Sequence, residues 1–377
     1  MMSSSTSSRA DPSDSLHRLA QADAPVGGVA CEVDTIPDRA WEEALAEFQD
    51  AHYEQTACYI SGQRGEHVSH MLLRQDGVAV AGARLALYTL PGLSTGLALV
   101  RFGPFWRHRD RPAEFATYRA VLAALTEEYC ERRGYCLTIR PRPHPEYYYR
   151  ECEVLNELGF VVRRQMPAPD RYLVDVSLDE AAQMKSFDKK WRYSLRQALV
   201  HNFDIRMGES AADIAAFQSL YRTMVARKHI DHAGVELVDA TAGLVALPPP
   251  INLRIVLAYH DGRPVTGATV GIVGDCAYYV LGASDAAALD SNAGYAVQWW
   301  ILRWLATQDV RWYELGGTGD PGVRQFKKGL IGKAGVVLSM NGEYDRWTHF
   351  SGRVATDLIY GVRDVYNAIR YWRRGMR

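Results

Sequence analysis

The chain is 377 residues long, with 47% hydrophobic and 23% charged residues, as in an ordinary globular protein. Its 43 Lys and Arg against 44 Asp and Glu leave a formal net charge of −1. This excludes a globally basic nucleic-acid coat but leaves room for a local basic patch. With no run of about 18 apolar residues, the sequence predicts no membrane span.

Residues 1–32 open MMSSSTSSRADPSDS. They lack a basic n-region followed by an apolar h-region, so they read as a disordered leader and not as a secretory signal. The six cysteines form no C-x-x-C pair, and no Cys/His cluster has zinc spacing. With no export signal, the expectation is a cytoplasmic protein with reduced thiols.

The first ordered segment, VSHMLLRQDGVAVAGARLAL (68–87), is two apolar strands around Asp76-Gly77, the turn pair that signals a hairpin. ALVRFGP (98–104) is a strand ending in Gly, and YRAVLAALTEEYCERRG (118–134) is a helix. CLTIRP (136–141) is a short strand, VLNELGF (154–160) a helix ending near Gly, and VVRRQ (161–165) an apolar run. A Pro-rich stretch, MPAPDR (166–171), then marks a boundary.

Beyond it the order recurs. NLRIVLAYHDGRPVTGATVGI (252–272) is a hairpin around Asp261-Gly262, and AYYVLGA (277–283) is a strand. YAVQWWILRWLATQD (295–309), RWYELGG (311–317), QFKKGLIG (325–332) and GVVLSM (335–340) repeat helix, strand, helix, strand. A spacing of about 170–185 residues is a domain duplication, not a solenoid. Helices between consecutive strands give parallel neighbours, and each hairpin adds antiparallel ones. The expectation is an α/β protein with mixed sheets. Its element order resembles two tandem acyl-CoA N-acyltransferase (GNAT)-like domains. The expected divisions are 33–166 and 167–345, with a basic amphipathic helix over 346–377.

Several segments carry chemistry. An acetyltransferase of this fold holds the CoA pyrophosphate on a Gly-rich loop leading into a helix. Neither FGPFWRHRDRPAEF nor LGASDAAALDSNAGYAV has that pattern. In FDKKWRYSLRQALVHNFDI (187–205), Lys189, Lys190, Arg192 and Arg196 crowd an amphipathic helix seamed by Trp191, Leu195 and Leu199. That helix is either a solvated basic face or a surface for phosphate or tRNA backbone. YELGGTGDPGVRQFKKGLIGK (313–333) leads a Gly-rich loop into a helix bearing Phe326 and Lys327. Such a loop can present an ammonium to a developing oxyanion. In the last helix, Leu358, Val362, Val365, Ile369 and Trp372 form a stripe expected to dock on the body. Arg370, Arg373, Arg374 and Arg377 at its end suit a helix C-terminus, tRNA or an anionic membrane surface. His229 and His232 of KHIDH have no further ligands nearby in sequence, so no metal is expected. No Gly-x-Ser-x-Gly or other nucleophile signature is present.

Four segments together resemble the Fem family of aminoacyl-tRNA-dependent peptidyltransferases and related Fem-like acyltransferases. They are RFGP (101–104), the P-x-P segment, helix and LGF of 141–160, WRYSLRQA (191–198), and YELGG…FKKGLIG (313–332). The likeness spans roughly residues 40–345. It implies transfer of an amino acid from aminoacyl-tRNA to an amine, forming an amide. The acceptor would be a cell-wall (peptidoglycan) precursor peptide or a peptide-like metabolite, and no cofactor would be needed. Lys327 would stabilise the developing charge, with Phe326 shaping the pocket. Acceptor binding would fall between the halves, with Arg101, Gly103, Arg227, Tyr278 and Arg324 as candidates; Lys189, Lys190, Arg192 and Arg196 would hold tRNA. Either Tyr278 or its neighbour Tyr279 lines the cleft, since the two point to opposite faces. The chain departs from the family in lacking a long coiled-coil arm and in having Leu330 where Phe is usual. Two other functions remain open from sequence: an acyl-CoA-dependent N-acyltransferase in polysaccharide or metabolite assembly, and a non-catalytic binding module.

Overall fold

The computed structural model describes residues 29–375 apart from 62–66, 91, 93, 167, 229–233 and 318. Most of the leader, both histidines of KHIDH and Arg377 therefore lie outside the described residues. The strands of the first stretch are β1 (Val29–Val33), β2 (His67–Gln75), β3 (Val78–Thr89), β4 (Gly96–Arg101), β5 (Cys136–Arg140) and β6 (Val161–Arg164). The second has β7 (Asp170–Asp175), β8 (Asp204–Gly208), β9 (Leu253–His260), β10 (Arg263–Val273), β11 (Cys276–Ser284), β12 (Trp312–Glu314), β13 (Val336–Ser339) and β14 (Glu343–Arg346).

Both expected hairpins form, β2–β3 and β9–β10, each antiparallel. At their turns Asp76 and Gly77 have φ of 54° and 82°, and Asp261 and Gly262 have 49° and 73°. Two successive positive φ values match the strand twist, which is why Asp-Gly serves here. β4–β5 and β11–β12 are parallel pairs, as the intervening helices require.

The two seven-stranded sheets run β1-β2-β3-β4-β5-β14-β6 and β8-β9-β10-β11-β12-β7-β13. They are copies of one another, with one exchange. β7 follows the first unit in sequence but fills the sixth place of the second sheet. β14 follows the second unit but fills the sixth place of the first. Residues 343–345, expected in the second domain's range, thus lie in the first sheet. The halves share a core: Leu173, Val273, Cys276, Tyr278, Trp312, Leu338 and Met340 pack in one cluster with first-sheet residues such as Met71, Leu85 and Val100.

A polar clamp adds to this junction. The β10–β11 turn enters the first half, where Asp275 N–H donates to Gln49 O at 2.7 Å. The Asp275 carboxylate accepts from Arg107 at 2.8 Å and from Arg142, with His144 at 3.5 Å. Burial alone would raise its pKa, but Arg142 and Arg107 outweigh burial and bring it to about 2.

The last helix, Phe350–Gly375, corrects one expectation. Leu358 and Val362 of the expected docking stripe are exposed, as is Val365. The opposite face packs instead: Ala355, Thr356 and Tyr360 are buried, with Tyr360 against Leu97 and Leu99 of β4. Ala355, Thr356 and Tyr360 make that contact outside the four-and-three apolar spacing, so the apolar period reports the outer face.

Candidate active site

The parallel strands at the middle of each sheet behave differently. β4 and β5 stay in register over five pairs, from Leu97↔Cys136 to Arg101↔Arg140. β11 and β12 pair only at Cys276↔Trp312, Ala277↔Tyr313 and Tyr278↔Glu314. β11 then runs on to Ser284 past the end of its partner. A bulge helps it diverge: Tyr279 faces Val270 and Leu281 faces Thr269, leaving Val280 extra. Thr269 Oγ1 accepts the Leu281 N–H at 2.9 Å. The strands therefore part at their carboxyl ends, called the mouth below, which is the usual place for a ligand in an open α/β sheet.

The helix Pro321–Ile331 stands beside this mouth. Pro321 occupies its first turn, and Asp320 caps it by accepting from Val323 N–H at 2.8 Å. Gly332, with φ of 59°, ends it. Successive positions on a helix point about 100° apart, so Phe326 and Lys327 serve two surroundings. Phe326 meets Tyr295 edge-on at 4.8 Å and Trp191 at 5.9 Å. Lys327 is buried, and its Nζ donates to Gly316 O at 3.2 Å on the loop after β12. Burial lowers its pKa to about 8, against the pull of Glu314 and with the push of Arg171. At neutral pH it is mostly an ammonium in a poorly solvated place, where a cation acts strongly on a nearby developing anion.

The basic helix Lys189–Leu199 is fastened directly to this element. Trp191 lies over Gly329, where an added Cβ would come within 3.0 Å of its ring. Lys189, Lys190 and Arg196 are exposed, and among the described residues none of them, nor Arg192, has a carboxylate within salt-bridge distance. Arg192 is half-buried and donates to Lys185 O at 2.9 Å. Two lysines in a first turn oppose the helix dipole, so the arrangement favours a bound anion over isolated stability.

Around the mouth, Arg227 donates to Ser284 O at 2.9 Å and Arg324 to Gly319 O at 2.7 Å. Lys228 bridges to Asp320 at 3.5 Å. Tyr278 turns to the first half, edge-on to His52 at 4.5 Å and Tyr53 at 5.6 Å. Tyr279 packs into the core of the second half. Arg101 donates to Tyr88 OH at 2.6 Å. Gly103 is buried against Val100 and Gln55, its amide donating to Arg140 O at 3.3 Å. The structure thus puts Arg227 at the end of β11 and Phe326, Lys327 and Arg324 on the helix after β12. It sets Tyr278 and Arg101 at the junction between halves, and keeps Gly103 within the first-half wall.

Sequence reasoning missed the charged cluster that joins these places. Glu314, at the end of β12, accepts two hydrogen bonds from Arg171 of the exchanged β7, at 2.8 and 3.1 Å. Arg140, at the end of β5, pairs with Glu343 of the exchanged β14. Phe102 lies between Arg140 and Arg171, at 5.4 and 5.0 Å from its ring. Glu54 is buried beside them; burial raises its pKa, opposed by Arg140, Arg101 and Arg171. Arg140 and Glu314 close their strands, Glu343 begins β14 and Arg171 is second in β7, and charges at strand ends were the one available signal.

Comparison with known proteins places this architecture. Residues 185–328 match the family described as acetyltransferase (GNAT) domain. No curated protein sequence matches the chain. Among solved structures, FemX superposes with a TM-score of 0.69 at 15% identity, covering 87% of this chain and 99% of that one. A conserved protein of unknown function from Bacteroides thetaiotaomicron gives 0.58 at 11% identity, covering 84% and 99%. The C-terminal domain of a putative lysylphosphatidylglycerol synthetase from Agrobacterium fabrum gives 0.56 at 11% identity, covering 85% and 95%. The chain therefore has a doubled GNAT fold similar to that of FemX, and residues 185–328 of its second half match the GNAT-domain family.

Proposed function

We propose that the chain is an acyltransferase that forms an amide between an amino acid carried as an aminoacyl-tRNA ester and an amine acceptor. The observation that carries this reading is the joining of three features on one element. The helix Pro321–Ile331 follows the loop after β12, holds the buried Lys327 ammonium against that loop at Gly316 and packs at Gly329 against Trp191 of the basic helix Lys189–Leu199. A polyanion on Lys189, Lys190 and Arg196 would then have its acylated end near the mouth. The amine attacks the ester carbonyl, the oxyanion gains the Lys327 ammonium, and the nucleic-acid hydroxyl departs with the proton lost by the amine. An ester is already activated, so positioning and charge stabilisation suffice.

The second reading, an acyl-CoA donor, draws on the GNAT-domain match. Against it stands the link from β11 to the helix Ala293–Leu305. That link holds a short helix, Ala286–Asp290, capped by Asp285 and ending in Asp290, where a pyrophosphate would meet two carboxylates. Filter retention of labelled, fully charged total tRNA separates the two. Retention that prefers charged over uncharged tRNA and ignores acetyl-CoA supports the first reading. No retention at low salt, with saturable acyl-CoA binding, replaces it with the second.

A further inference from the structure

The outer face of the last helix belongs to neither core nor mouth. Phe350, Val354, Leu358, Val362 and Val365 recur at intervals of four and three, which places them along one face. They are 70, 39, 52, 65 and 60% exposed. All residues from 361 to 365 are exposed. Isolated apolar residues on a surface need no explanation, but a helical stripe of five does.

Charge identifies what covers it. Residues 346–377 contain seven arginines, two aspartates, and no lysine or glutamate, in a chain whose net charge is −1. Both aspartates are held by arginine: Asp357 by Arg163 and Arg164 at 2.8 Å, Asp364 by Arg363 at 3.1 Å. The sequence continues the apolar spacing with Ile369 and Trp372 and adds Arg370, Arg373 and Arg374. A second copy would cover the stripe while setting arginines against arginines. A nucleic acid would satisfy the arginines while leaving the stripe in water. An anionic lipid surface does both, taking apolar side chains below its headgroups and arginines among its phosphates.

We infer that the helix Phe350–Gly375 lies in the interface of an anionic membrane, with the Phe350-to-Val365 stripe toward the acyl chains. Its opposite face leads to the site: Tyr360 OH donates to Glu343 at 2.9 Å, and Glu343 pairs with Arg140 in the cluster between the halves. Only the thickness of one helix, about 10 Å, separates that contact from the docked stripe. An acceptor carried by lipid would be delivered beside the cleft. The docking itself does not depend on which acyl donor is used.

The test is sedimentation of the full chain with phosphatidylcholine vesicles, with and without phosphatidylglycerol. Binding is expected only to the anionic vesicles and to weaken as salt rises. Leu358→Asp with Val362→Asp removes it at an unchanged melting temperature, because both sites are exposed. Arg370→Gln, Arg373→Gln and Arg374→Gln together weaken it about a hundredfold, at about fivefold for each arginine. Equal binding to neutral vesicles, binding that survives the aspartates, or no vesicle binding by a chain that dimerises or retains tRNA through this helix would each overturn the inference.

Discussion

The two halves share a strand order and differ at its centre. In the first, the parallel strands β4 and β5 remain paired to their ends, and the segment after β4 folds back into the core. Phe102, Phe105 and Trp106 are buried there, and Gly82 admits Phe105 so closely that a Cβ would sit 2.6 Å from its ring. In the second half, β11 outruns β12, and the strand ends carry Glu314, paired with Arg171, and Ser284, whose carbonyl accepts from Arg227. Gly159 and Gly332, at φ of 78° and 59°, end equivalent helices. The residue standing as far before Gly159 as Lys327 stands before Gly332 is Val154, fully buried. The ion pairs at the strand ends are inverted, with Arg140–Glu343 in one half and Glu314–Arg171 in the other. A duplicated fold can thus keep one strand pair closed to its end and let the other part.

The largest effect is expected where the halves meet. Asp275→Asn leaves Arg107 and Arg142 facing a neutral group in a buried place, and should cost about 3–5 kcal/mol in denaturant unfolding. The same carboxylate has a pKa lowered to about 2 from 3.8. Its contribution is therefore present above pH 3.8 and lost as pH falls toward 2, so wild type and variant should converge in stability over that window.

Next comes the mouth. Lys327→Met should lower transfer by about 10²–10³-fold at neutral pH, the range found for removing one oxyanion partner. Stability should move the other way. Lys327 titrates near pH 8 in the fold and near 10.5 when unfolded, so holding it charged opposes folding by up to about 3 kcal/mol below pH 8. The variant's advantage in thermal unfolding should shrink as pH rises from 8 to 10.5, while wild-type transfer falls through pH 8.

A smaller effect sharpens the comparison of the two ion pairs. Glu314 raises the Lys327 pKa, so Glu314→Gln should move the falling limb of the pH–rate profile to lower pH. Glu343→Gln, in the equivalent pair of the first half, should lower stability without moving that limb. The smallest effect belongs to the outer helix: Lys189→Gln with Lys190→Gln should reduce the slope of log affinity for tRNA against log salt by about 2.

Local elements were legible because local rules set them. Asp76-Gly77 and Asp261-Gly262 fixed both hairpins, and Gly332 fixed the end of the Lys327 helix. The exchange of β7 and β14 was not legible, because the apolar run Tyr172, Leu173 and Val174 is consistent with a buried strand without saying which sheet takes it. EYDR of β14 has no apolar run at all. Phe326 and Lys327 were singled out by motif. Glu314 and Arg171, whose charges act on Lys327, lie far apart in sequence, and only the exchange joins them. In the last helix the stripe was read correctly as apolar and assigned to the wrong face. Period alone does not say whether such a face meets protein or something else.

The most direct test of the account follows label from charged total tRNA into base-stable amide when the protein and an extract of small amine acceptors are added. The account predicts such product with wild type, its loss by about a hundredfold or more with Lys327→Met, and no effect of acetyl-CoA. Product that persists with Lys327→Met, or that arises from acyl-CoA and not from charged tRNA, would contradict it.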